Sequence, residues 1–300
     1  MRTVYLGTSD FAAAVLERLA GSPHRPQLVV TRPDRPRGRG RRLTPPPVAL
    51  AAHELGIEVD QPASVNDADA RARIAEAAPD VVIVCAFGAL IKEDLLAAHH
   101  ILNVHPSLLP RWRGAAPIER AIMAGDSTTG VSIMELTAGL DSGPVCLEEG
   151  ERIRPDDTYG TLAERLQGIG GELLVRALDE SPPCAEQDEA RVTYADKITP
   201  ADRKLDPEKP AYELERVVRA LTPHIGAYVA LADGTQLGVR EARVGQSPGD
   251  GSAENPPGGA VSLDGPLPVL ATADGTLELV VVQPPGKRPM PGGDYLRGRR

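Results

Sequence analysis

Hydrophobic and polar residues follow two different patterns in the two parts of the chain. Up to residue 178, short apolar runs rich in Val and Ile are separated by amphipathic segments of helical length. Val81–Cys85 is apolar at every position, which is typical of a central parallel strand covered on both faces. The pattern up to residue 178 therefore predicts an α/β fold with a Rossmann-like, doubly wound and mostly parallel sheet.

The bounds of the predicted elements in this region follow from the same pattern, and Ser9 or Asp10 is expected to cap the first helix. The predicted strands are Val4–Leu6, Gln27–Thr31, Ile57–Val59, Val81–Cys85, Ile101–Val104 and Val131–Glu135. The predicted helices are Phe11–Leu19, Val48–Leu55, Asp67–Ala77, Pro117–Ala124 and Thr158–Leu178.

After residue 178 the pattern changes to a polar, proline-rich stretch and then to short strands. Ala211–Leu221 is predicted as a helix, and Asp233-Gly234 and Asp274-Gly275 are pairs typical of hairpin turns. These features predict a small all-β, OB-like barrel, with the low-complexity residues 246–259 as a loop. Its predicted strands are Gly226–Leu231, Gln236–Val244, Ala260–Leu263, Val269–Ala271 and Leu277–Val282.

The length of 300 residues is enough for about two domains. We expect a catalytic domain at residues 1–190, a linker at 191–206 and a C-terminal domain at 207–300.

Composition narrows the class of partner. Aromatic residues make up only 3% of the chain, which argues against broad surfaces that stack nucleobases. The net charge of −9 argues against a protein that coats polyanions with its whole surface. Residues 32–42, however, hold six arginines and one aspartate, so a charge of +5 stands against −14 in the rest of the chain.

Cysteine usage and apolar runs bear on the compartment. The three cysteines have no paired spacing, which favours a reducing, cytoplasmic location, and no metal-binding motif is present. The start of the chain, Met1–Phe11, lacks the pattern of a signal peptide. The longest apolar run, Val81–Ile91, is too short to span a bilayer and is interrupted by Gly88.

Polar residues occur at the end of the predicted strand Ile101–Val104, where open α/β sheets place their functional sites. Asn103 and His105 are two positions apart, so both side chains project from one face of an extended segment. A second polar loop, Gly139–Gly143, follows Val131–Glu135, and its glycines would let Asp141 approach His105.

Asn, His and Asp together suit the transfer of an acyl group to an amine. Asn103 can donate an amide hydrogen to a developing oxyanion. His105 can accept the proton of the amine or, once charged, stabilise the oxyanion. Asp141 can fix the His tautomer and stabilise the imidazolium. Because no Ser or Cys nucleophile is required, direct transfer without a covalent enzyme intermediate is favoured.

The residues alone leave structural explanations open. A single His near a strand end is usually structural, Asp141 could cap a turn, and Asn103 could bind a loop backbone. The arginine-rich block 32–42 could be a solvated loop, although arginines separated by glycines also suit phosphate contacts. A dinucleotide site is only weakly indicated, since Gly7–Phe11 lacks the G-x-G-x-x-G pattern.

Longer strings around these residues resemble the folate-dependent formyltransferases. The run Ser107–Ile118, preceded by Asn103 and His105 and followed by Gly139–Gly143, carries the resemblance. Supporting strings cover nearly the whole chain and are Gly7–Phe11, Arg32–Leu43, Thr193–Lys197 and Pro285–Met290.

The resemblance implies that 10-formyltetrahydrofolate is the formyl donor and that the amino group of initiator methionyl-tRNA is the acceptor. It implies no metal, no membrane and no obligate protein partner, and a monomer is compatible with it. The implied catalytic residues are Asn103, His105 and Asp141. The implied folate contacts are Ser107, Leu108, Leu109, Pro110, Phe87, Gly88 and Leu90. The implied tRNA contacts are Arg37, Arg39, Arg41 and Arg42, with Arg39 matching the key arginine of the family, together with the OB-like domain.

The chain departs from the family pattern at three positions. Ser9, Phe87 and Lys92 stand where the family usually has Pro, Tyr and Pro. Ser9 is a good helix cap, so little changes there. Phe87 lacks a hydroxyl that could contact the folate, and residues 245–260 support no comparison with the family.

Two competing functions remain open. Formylation of a small amine, such as a purine precursor or an amino sugar, or hydrolysis of the formylfolate would use the same catalytic residues. Single-domain relatives of that kind lack the arginine block and the barrel, which favours a large polyanionic acceptor here. A non-catalytic nucleic-acid-binding module would not need Asn103, His105 and Asp141.

Overall fold

The structure, a computed structural model, describes residues 1–37, 40, 42–245 and 261–299. The chain divides into two compact units. The first unit comprises Met1–Gly114, Thr128–Arg152 and Ala163–Ala195, and the second comprises Ala115–Ser127, Ile153–Leu162 and Asp196–Arg300. No described helix is both long enough and apolar enough to cross a membrane.

Strands and helices alternate through the first unit, and strands predominate in the second. The strands are β1 Thr3–Gly7, β2 Pro26–Val30, β3 Arg35–Arg37, β4 Arg42–Thr44, β5 Glu58–Asp60, β6 Val81–Cys85, β7 Ile101–His105, β8 Arg113–Gly114, β9 Thr128–Glu135, β10 Val145–Arg152, β11 Tyr194–Ala195, β12 Ala227–Ala230, β13 Gln236–Gly245, β14 Val261–Ser262, β15 Val269–Ala271, β16 Thr276–Gln283 and β17 Met290–Pro291. The helices are α1 Asp10–Ala20, α2 Pro47–Glu54, α3 Ala68–Glu76, α4 Glu93–Ala98, α5 Pro117–Ala124, α6 Tyr159–Glu180, α7 Pro200–Arg203, α8 Ala211–Ala220 and α9 Gly292–Arg297, and a 3-10 turn lies at Glu189–Arg191.

The first unit is organised around a seven-stranded sheet in the order β10-β9-β7-β6-β1-β2-β5. Strands β5, β2, β1, β6 and β7 run parallel to one another, whereas β9 runs antiparallel to both β7 and β10. The predicted α/β fold is therefore confirmed. Strand β6 lies in the middle of the sheet and is buried at all five positions, as its uninterrupted apolar sequence predicted.

Helix α1 shows how the sequence pattern fixes the packing against this sheet. Ser9 is its N-cap, since the Ser9 hydroxyl accepts a hydrogen bond from the backbone N–H of Ala12 at 3.3 Å. Val15, Leu16 and Leu19 recur at helical spacing and are fully buried. Burial of each such side chain contributes roughly 1.5–3 kcal/mol.

The second unit contains the predicted antiparallel β structure. Its sheet has the order β12-β13-β16-β15-β14, and β17 pairs with β16. The turns predicted at Asp233-Gly234 and Asp274-Gly275 connect β12 to β13 and β15 to β16, so both hairpins are confirmed. A closed barrel stays a prediction, because β12 and β14 end the order among the described strands. The low-complexity residues 246–259 lie outside the described residues.

Regular structure also occurs in the predicted linker 191–206. Strand β11 pairs with β8 within the first unit, and α7 carries a capping box in which Thr199 and Asp202 bond each other's backbone N–H. The boundary between the two units falls between Ala195 and Asp196, inside the predicted linker. The domain limits at 190 and 206 stay predictions.

The expectation of three unpaired cysteines is wrong. Cys146 and Cys184 form a disulfide, while Cys85 is a free, buried thiol. The two partners are 38 residues apart and are brought together because Val145 and Ala185 form an isolated antiparallel bridge. Such a pairing depends on tertiary structure, so the spacing of the cysteines could not show it, and the cysteine argument for a reducing compartment loses its basis.

Candidate active site

Asn103 and His105 lie on β7, between β6 and β9. In the register of the sheet, Asn103 is opposite Val84 on one side and Met134 on the other, and His105 is opposite Ser132. Both residues are buried, with exposures of 7% and 4%. The alternation of a strand places the two side chains on one face, as the sequence predicted.

Asp141 reaches His105 by a route that the sequence did not indicate. Because β9 is antiparallel to β7, the loop after β9 begins beside Ile101, where the Leu136 N–H donates to the Ile101 carbonyl. The loop nevertheless brings the Asp141 Oδ2 atom to 3.7 Å from the His105 Nδ1 atom. Gly143 permits the close approach, since a Cβ atom there would collide with the backbone carbonyl of Glu135.

The tautomer of the neutral His105 ring is set by its other nitrogen. The Nε2 atom lies 2.9 Å from the backbone carbonyl oxygen of Trp112. A carbonyl oxygen can only accept, so Nε2 carries the hydrogen and a neutral ring leaves the lone pair on Nδ1. Asp141 was expected to fix the tautomer, whereas the hydrogen bond that fixes it goes to Trp112. A backbone acceptor has no side-chain signature in a sequence.

A backbone N–H group holds the Asp141 carboxylate in place. Its Oδ2 atom accepts a hydrogen bond of 2.8 Å from the N–H of Gly114. Gly114 has a φ of +126°, and a Cβ atom there would collide with the Ala195 carbonyl, so glycine is required. With its side chain 15% exposed, Asp141 is a largely desolvated anion placed to stabilise a positive charge on His105.

Asn103 offers its amide to the same site. Among the described residues, its side chain makes no hydrogen bond, although the residue is largely buried. The carboxamide therefore remains available to donate to a substrate oxygen. The described site thus combines an amide donor, a ring nitrogen with a lone pair and a carboxylate, which is the set needed for acyl transfer to an amine.

Ser107 to Pro110, the first predicted folate contacts, form a tight turn directly after β7. The Ser107 hydroxyl donates to the Arg111 carbonyl at 2.6 Å, so it is used inside the turn. The Ser132 hydroxyl accepts from the Leu109 N–H at 3.1 Å and lies 2.7 Å from the Ser107 carbonyl oxygen. The peptide between Leu109 and Pro110 is cis. Leu108 and Leu109 differ in exposure, with Leu109 buried.

The second set of predicted folate contacts follows β6. Phe87 is 4% exposed and belongs to the apolar core beside Val84 and Ile91. Its carbonyl accepts a hydrogen bond of 2.8 Å from the Thr8 hydroxyl. Leu90, in contrast, is 74% exposed, and Gly88 between them has a φ of +70°. The departure to Phe at position 87 is thus accommodated by core packing.

On either side of the undescribed part of the arginine block, β3 pairs antiparallel with β4, and these two strands are called the β3–β4 hairpin. Arg37 is paired with Arg42 in this register, and Arg42 is exposed. Arg39 and Arg41 lie outside the described residues, and the side chain of Arg37 is not described.

Cys85 is no candidate nucleophile. Burial raises the pKa of its thiol to about 12, so the thiol stays protonated at neutral pH. The described residues also contain one group of three metal-ligating types, Glu135, Cys146 and Cys184, but its two sulfur atoms are joined in the disulfide.

Comparison with known proteins identifies both parts of the chain. The family model described as "Formyl transferase" matches residues 1–178, and that described as "Formyl transferase, C-terminal domain" matches residues 197–300. A methionyl-tRNA formyltransferase of Halorhodospira halophila is 43% identical over 305 residues, covering 100% of this chain and 96% of the relative. One of Methylococcus capsulatus is 42% identical over 305 residues, covering 99% and 96%.

Solved structures with a similar fold are more distant in sequence. HypX of Aquifex aeolicus in complex with tetrahydrofolic acid superimposes with a TM-score of 0.66 at 18% identity, covering 99% of this chain and 47% of that one. WlaRD, a sugar 3N-formyl transferase, superimposes with a TM-score of 0.65 at 14% identity, covering 96% and 99%. At these identities the similarity shows the fold alone.

Proposed function

Because the chain belongs to the formyl transferase family, we propose that it transfers the formyl group of 10-formyltetrahydrofolate to the amino group of methionine on initiator methionyl-tRNA. The product is N-formylmethionyl-tRNA, which initiates translation. The methionyl-tRNA formyltransferases that match this chain do so at about 40% identity over its whole length, which supports the same acceptor. The observation that carries the proposal is the arrangement of Asn103, His105 and Asp141 around one face at the end of β7.

His105 transfers the proton in this reaction, and Asn103 and Asp141 stabilise the charges that develop. The donor supplies an electrophilic formyl carbon, and the methionyl amine forms the new C–N bond as the bond from that carbon to the folate nitrogen breaks. His105 Nδ1 accepts the proton that the amine loses and can return it to the departing folate nitrogen. Asn103 donates its amide N–H to the formyl oxygen as negative charge develops there. Asp141 stabilises the imidazolium, and no covalent bond to the enzyme forms.

The folate would lie at the edge of the sheet where β6 and β7 end. These strands are parallel neighbours, so the loops that follow them leave the sheet at the same edge. Ser107 to Pro110 and the segment of Phe87, Gly88 and Leu90 are therefore the proposed folate contacts. Since the Phe87 side chain packs in the core, its main chain and the exposed Leu90 side chain are the surfaces of this loop available to the folate.

The acceptor would be bound outside the catalytic residues. Arg37, Arg39, Arg41 and Arg42 supply positive charge on an otherwise acidic chain, and guanidinium groups bind phosphates well. We further propose that the C-terminal domain contributes to tRNA binding and that the protein acts in the cytoplasm, where aminoacylated tRNA is used.

The assay that tests the proposal measures formyl transfer from 10-formyltetrahydrofolate to three acceptors. We expect efficient formylation of initiator methionyl-tRNA, little formylation of elongator methionyl-tRNA and none of free methionine. Equal use of free methionine, or preference for an amino sugar, would replace the proposal by formylation of a small amine. Release of formate without an acceptor, at the same rate, would indicate a hydrolase.

A further inference from the structure

Residues 187–193 lie in the connection between α6 and β11, and between the stretches matched by the two family models. We propose that Gln187 and Thr193, in this segment, are positioning residues that hold the two partners of the His105 ring. The proposal deepens the proposed function, because it assumes that His105 is the group that exchanges the proton. Neither side chain forms a hydrogen bond with the ring itself.

Gln187 holds the loop that carries Asp141. Its Nε2 atom donates to the backbone carbonyls of Asp141 at 2.8 Å and of Gly143 at 2.7 Å. Its Oε1 atom accepts from the Nε atom of Arg113 at 2.9 Å, so both N–H groups and the oxygen of this amide are used. The amide thus fixes two carbonyls of one short loop, on either side of Ser142.

Arg113 anchors Gln187 in turn. Arg113 is 3% exposed, and its guanidinium forms a two-pronged ion pair with Glu189, with N–O distances of 3.3 and 2.7 Å. The hydrogen bonds from Arg113 lower the pKa of the Glu189 carboxyl, so this pair stays charged at neutral pH. The buried Arg113 guanidinium thus links the Gln187 amide to Glu189 and gives that amide a further point of attachment.

Thr193 holds the second partner of the ring. Its Oγ1 atom accepts a hydrogen bond of 2.9 Å from the N–H of Trp112, whose carbonyl accepts from His105 Nε2. The Thr193 carbonyl accepts from the Arg113 N–H at 2.9 Å, and the Thr193 N–H donates to the Pro110 carbonyl at 3.3 Å. Trp112 has a φ of +65°, a conformation that a tryptophan adopts only when its surroundings hold it there.

One short segment therefore sets the surroundings of both ring nitrogens. Gln187 acts on the Nδ1 side through Asp141, and Thr193 acts on the Nε2 side through Trp112. Catalytic groups displaced by about 1 Å lose on the order of 100-fold in rate, so the loss of either support should lower kcat much more than substrate binding.

The test compares Gln187→Glu and Thr193→Val with matched controls. Gln187→Glu keeps an acceptor for Arg113 but removes both N–H donors, and Thr193→Val keeps the shape but removes the hydroxyl. Thr193→Ser restores the hydroxyl. Thr3→Val is the control for the loss of a buried threonine hydrogen bond far from the site, since Thr3 Oγ1 donates to the His24 carbonyl at 2.8 Å.

We expect kcat for methionyl-tRNA formylation to fall roughly 10- to 100-fold in Gln187→Glu and Thr193→Val, with KM for both substrates within about twofold of wild type. Thr193→Ser and Thr3→Val should keep wild-type kcat. Nitrogen-15 spectra of the histidine rings should show the Nε2–H tautomer of His105 in wild type and a mixture of tautomers in Thr193→Val.

Wild-type kcat in either variant would overturn the proposal, as would an equal loss in Thr3→Val or an unchanged tautomer in Thr193→Val. If Thr193→Val does not fold, a wild-type kcat in Gln187→Glu would overturn the proposal. The histidine spectra do not depend on the identity of the acceptor. A wild-type protein that fails to formylate methionyl-tRNA would thus reject the proposed function while the spectra still test the positioning.

Discussion

The end of β7 and the β3–β4 hairpin belong to the same unit, yet they are built in opposite ways. At β7, Asn103 and His105 are buried, and both partners of the His105 ring are held by further hydrogen bonds, Asp141 by the Gly114 N–H and Trp112 by the Thr193 hydroxyl. The hairpin consists of two strands of three residues that pair only with each other among the described strands. Its Arg42 and Leu43 are exposed.

The contrast matches two different physical tasks. Proton transfer requires groups held within a fraction of an ångström, which burial and backbone hydrogen bonds provide. Attraction of a polyanion requires charge and adaptable side chains that can order when the phosphates arrive. We therefore expect changes at β7 to act on kcat and changes in the hairpin to act on KM for tRNA.

The largest effect should come from removal of the proton acceptor. His105→Ala is expected to lower kcat by ~10²–10⁴-fold, because the amine then has no positioned base. Single-turnover rates at saturating substrates measure the chemical step directly. His53→Ala, at an exposed position of α2, should leave the rate unchanged. A nearly normal rate in His105→Ala would show that His105 is not the base, and the contrast between β7 and the hairpin would then lose its catalytic side.

Neutralising the hairpin should have a smaller effect of a different kind. Replacement of Arg37, Arg39, Arg41 and Arg42 by Ala is expected to raise KM for the tRNA roughly tenfold or more, with kcat and folate binding nearly unchanged. For each arginine–phosphate interaction that the variant removes, the slope of log K against log salt should become shallower by about 0.7–0.9.

The control for this variant removes the same charge elsewhere. Arg2, Arg18, Arg73 and Arg176 are surface arginines of the first unit that form ion pairs outside the hairpin. Their replacement by Ala changes the net charge equally and should leave the salt slope as it is. An equal change of slope in both variants would mean that net charge, and not the hairpin, governs tRNA binding.

The smallest effect on catalysis should follow reduction of Cys146–Cys184. The disulfide closes a loop of 38 residues, so its reduction should lower the free energy of unfolding by at most about 4 kcal/mol. We expect kcat to change by less than about twofold, because Gln187 and the Val145–Ala185 backbone bonds still hold the Asp141 loop.

Thermal unfolding with and without dithiothreitol measures this stability, and the Cys146→Ser/Cys184→Ser variant should not respond to the reductant. A melting temperature of the wild type that ignores the reductant would contradict the prediction. A large fall in kcat on reduction would instead show that the disulfide, and not hydrogen bonding, keeps Asp141 in place.

The sequence predicted the fold where local pattern dominates. Val81–Cys85 and Pro117–Ala124 have the predicted bounds, because an unbroken apolar run and a helix bounded by Pro and Gly carry their own signals. Strand β10 was not predicted, since Glu148, Glu149, Glu151 and Arg152 leave no apolar alternation in this strand at the edge of the sheet. Without β10, the antiparallel direction of β9 and the route of the Asp141 loop could not be deduced.

The candidate site likewise contains features that local sequence predicts and features that depend on tertiary structure. The pairing of Asn103 and His105 follows from their spacing on one strand. The roles of the Trp112 carbonyl and of Gln187 could not be predicted, because a carbonyl is common to all residues and Gln187 lies 46 positions from Asp141 along the chain. The outer support of the site thus depends on tertiary structure, which local sequence does not encode.

The hydrogen bond from His105 to the Trp112 carbonyl has a consequence for mutational robustness. The acceptor belongs to the main chain, so no codon change at position 112 can delete it. A substitution there can act only by shifting the backbone away from its φ of +65°, which Gly and Asn tolerate best. Substitutions at position 112 that keep this backbone conformation should therefore preserve the acceptor of His105 Nε2, and with it the tautomer of the neutral ring.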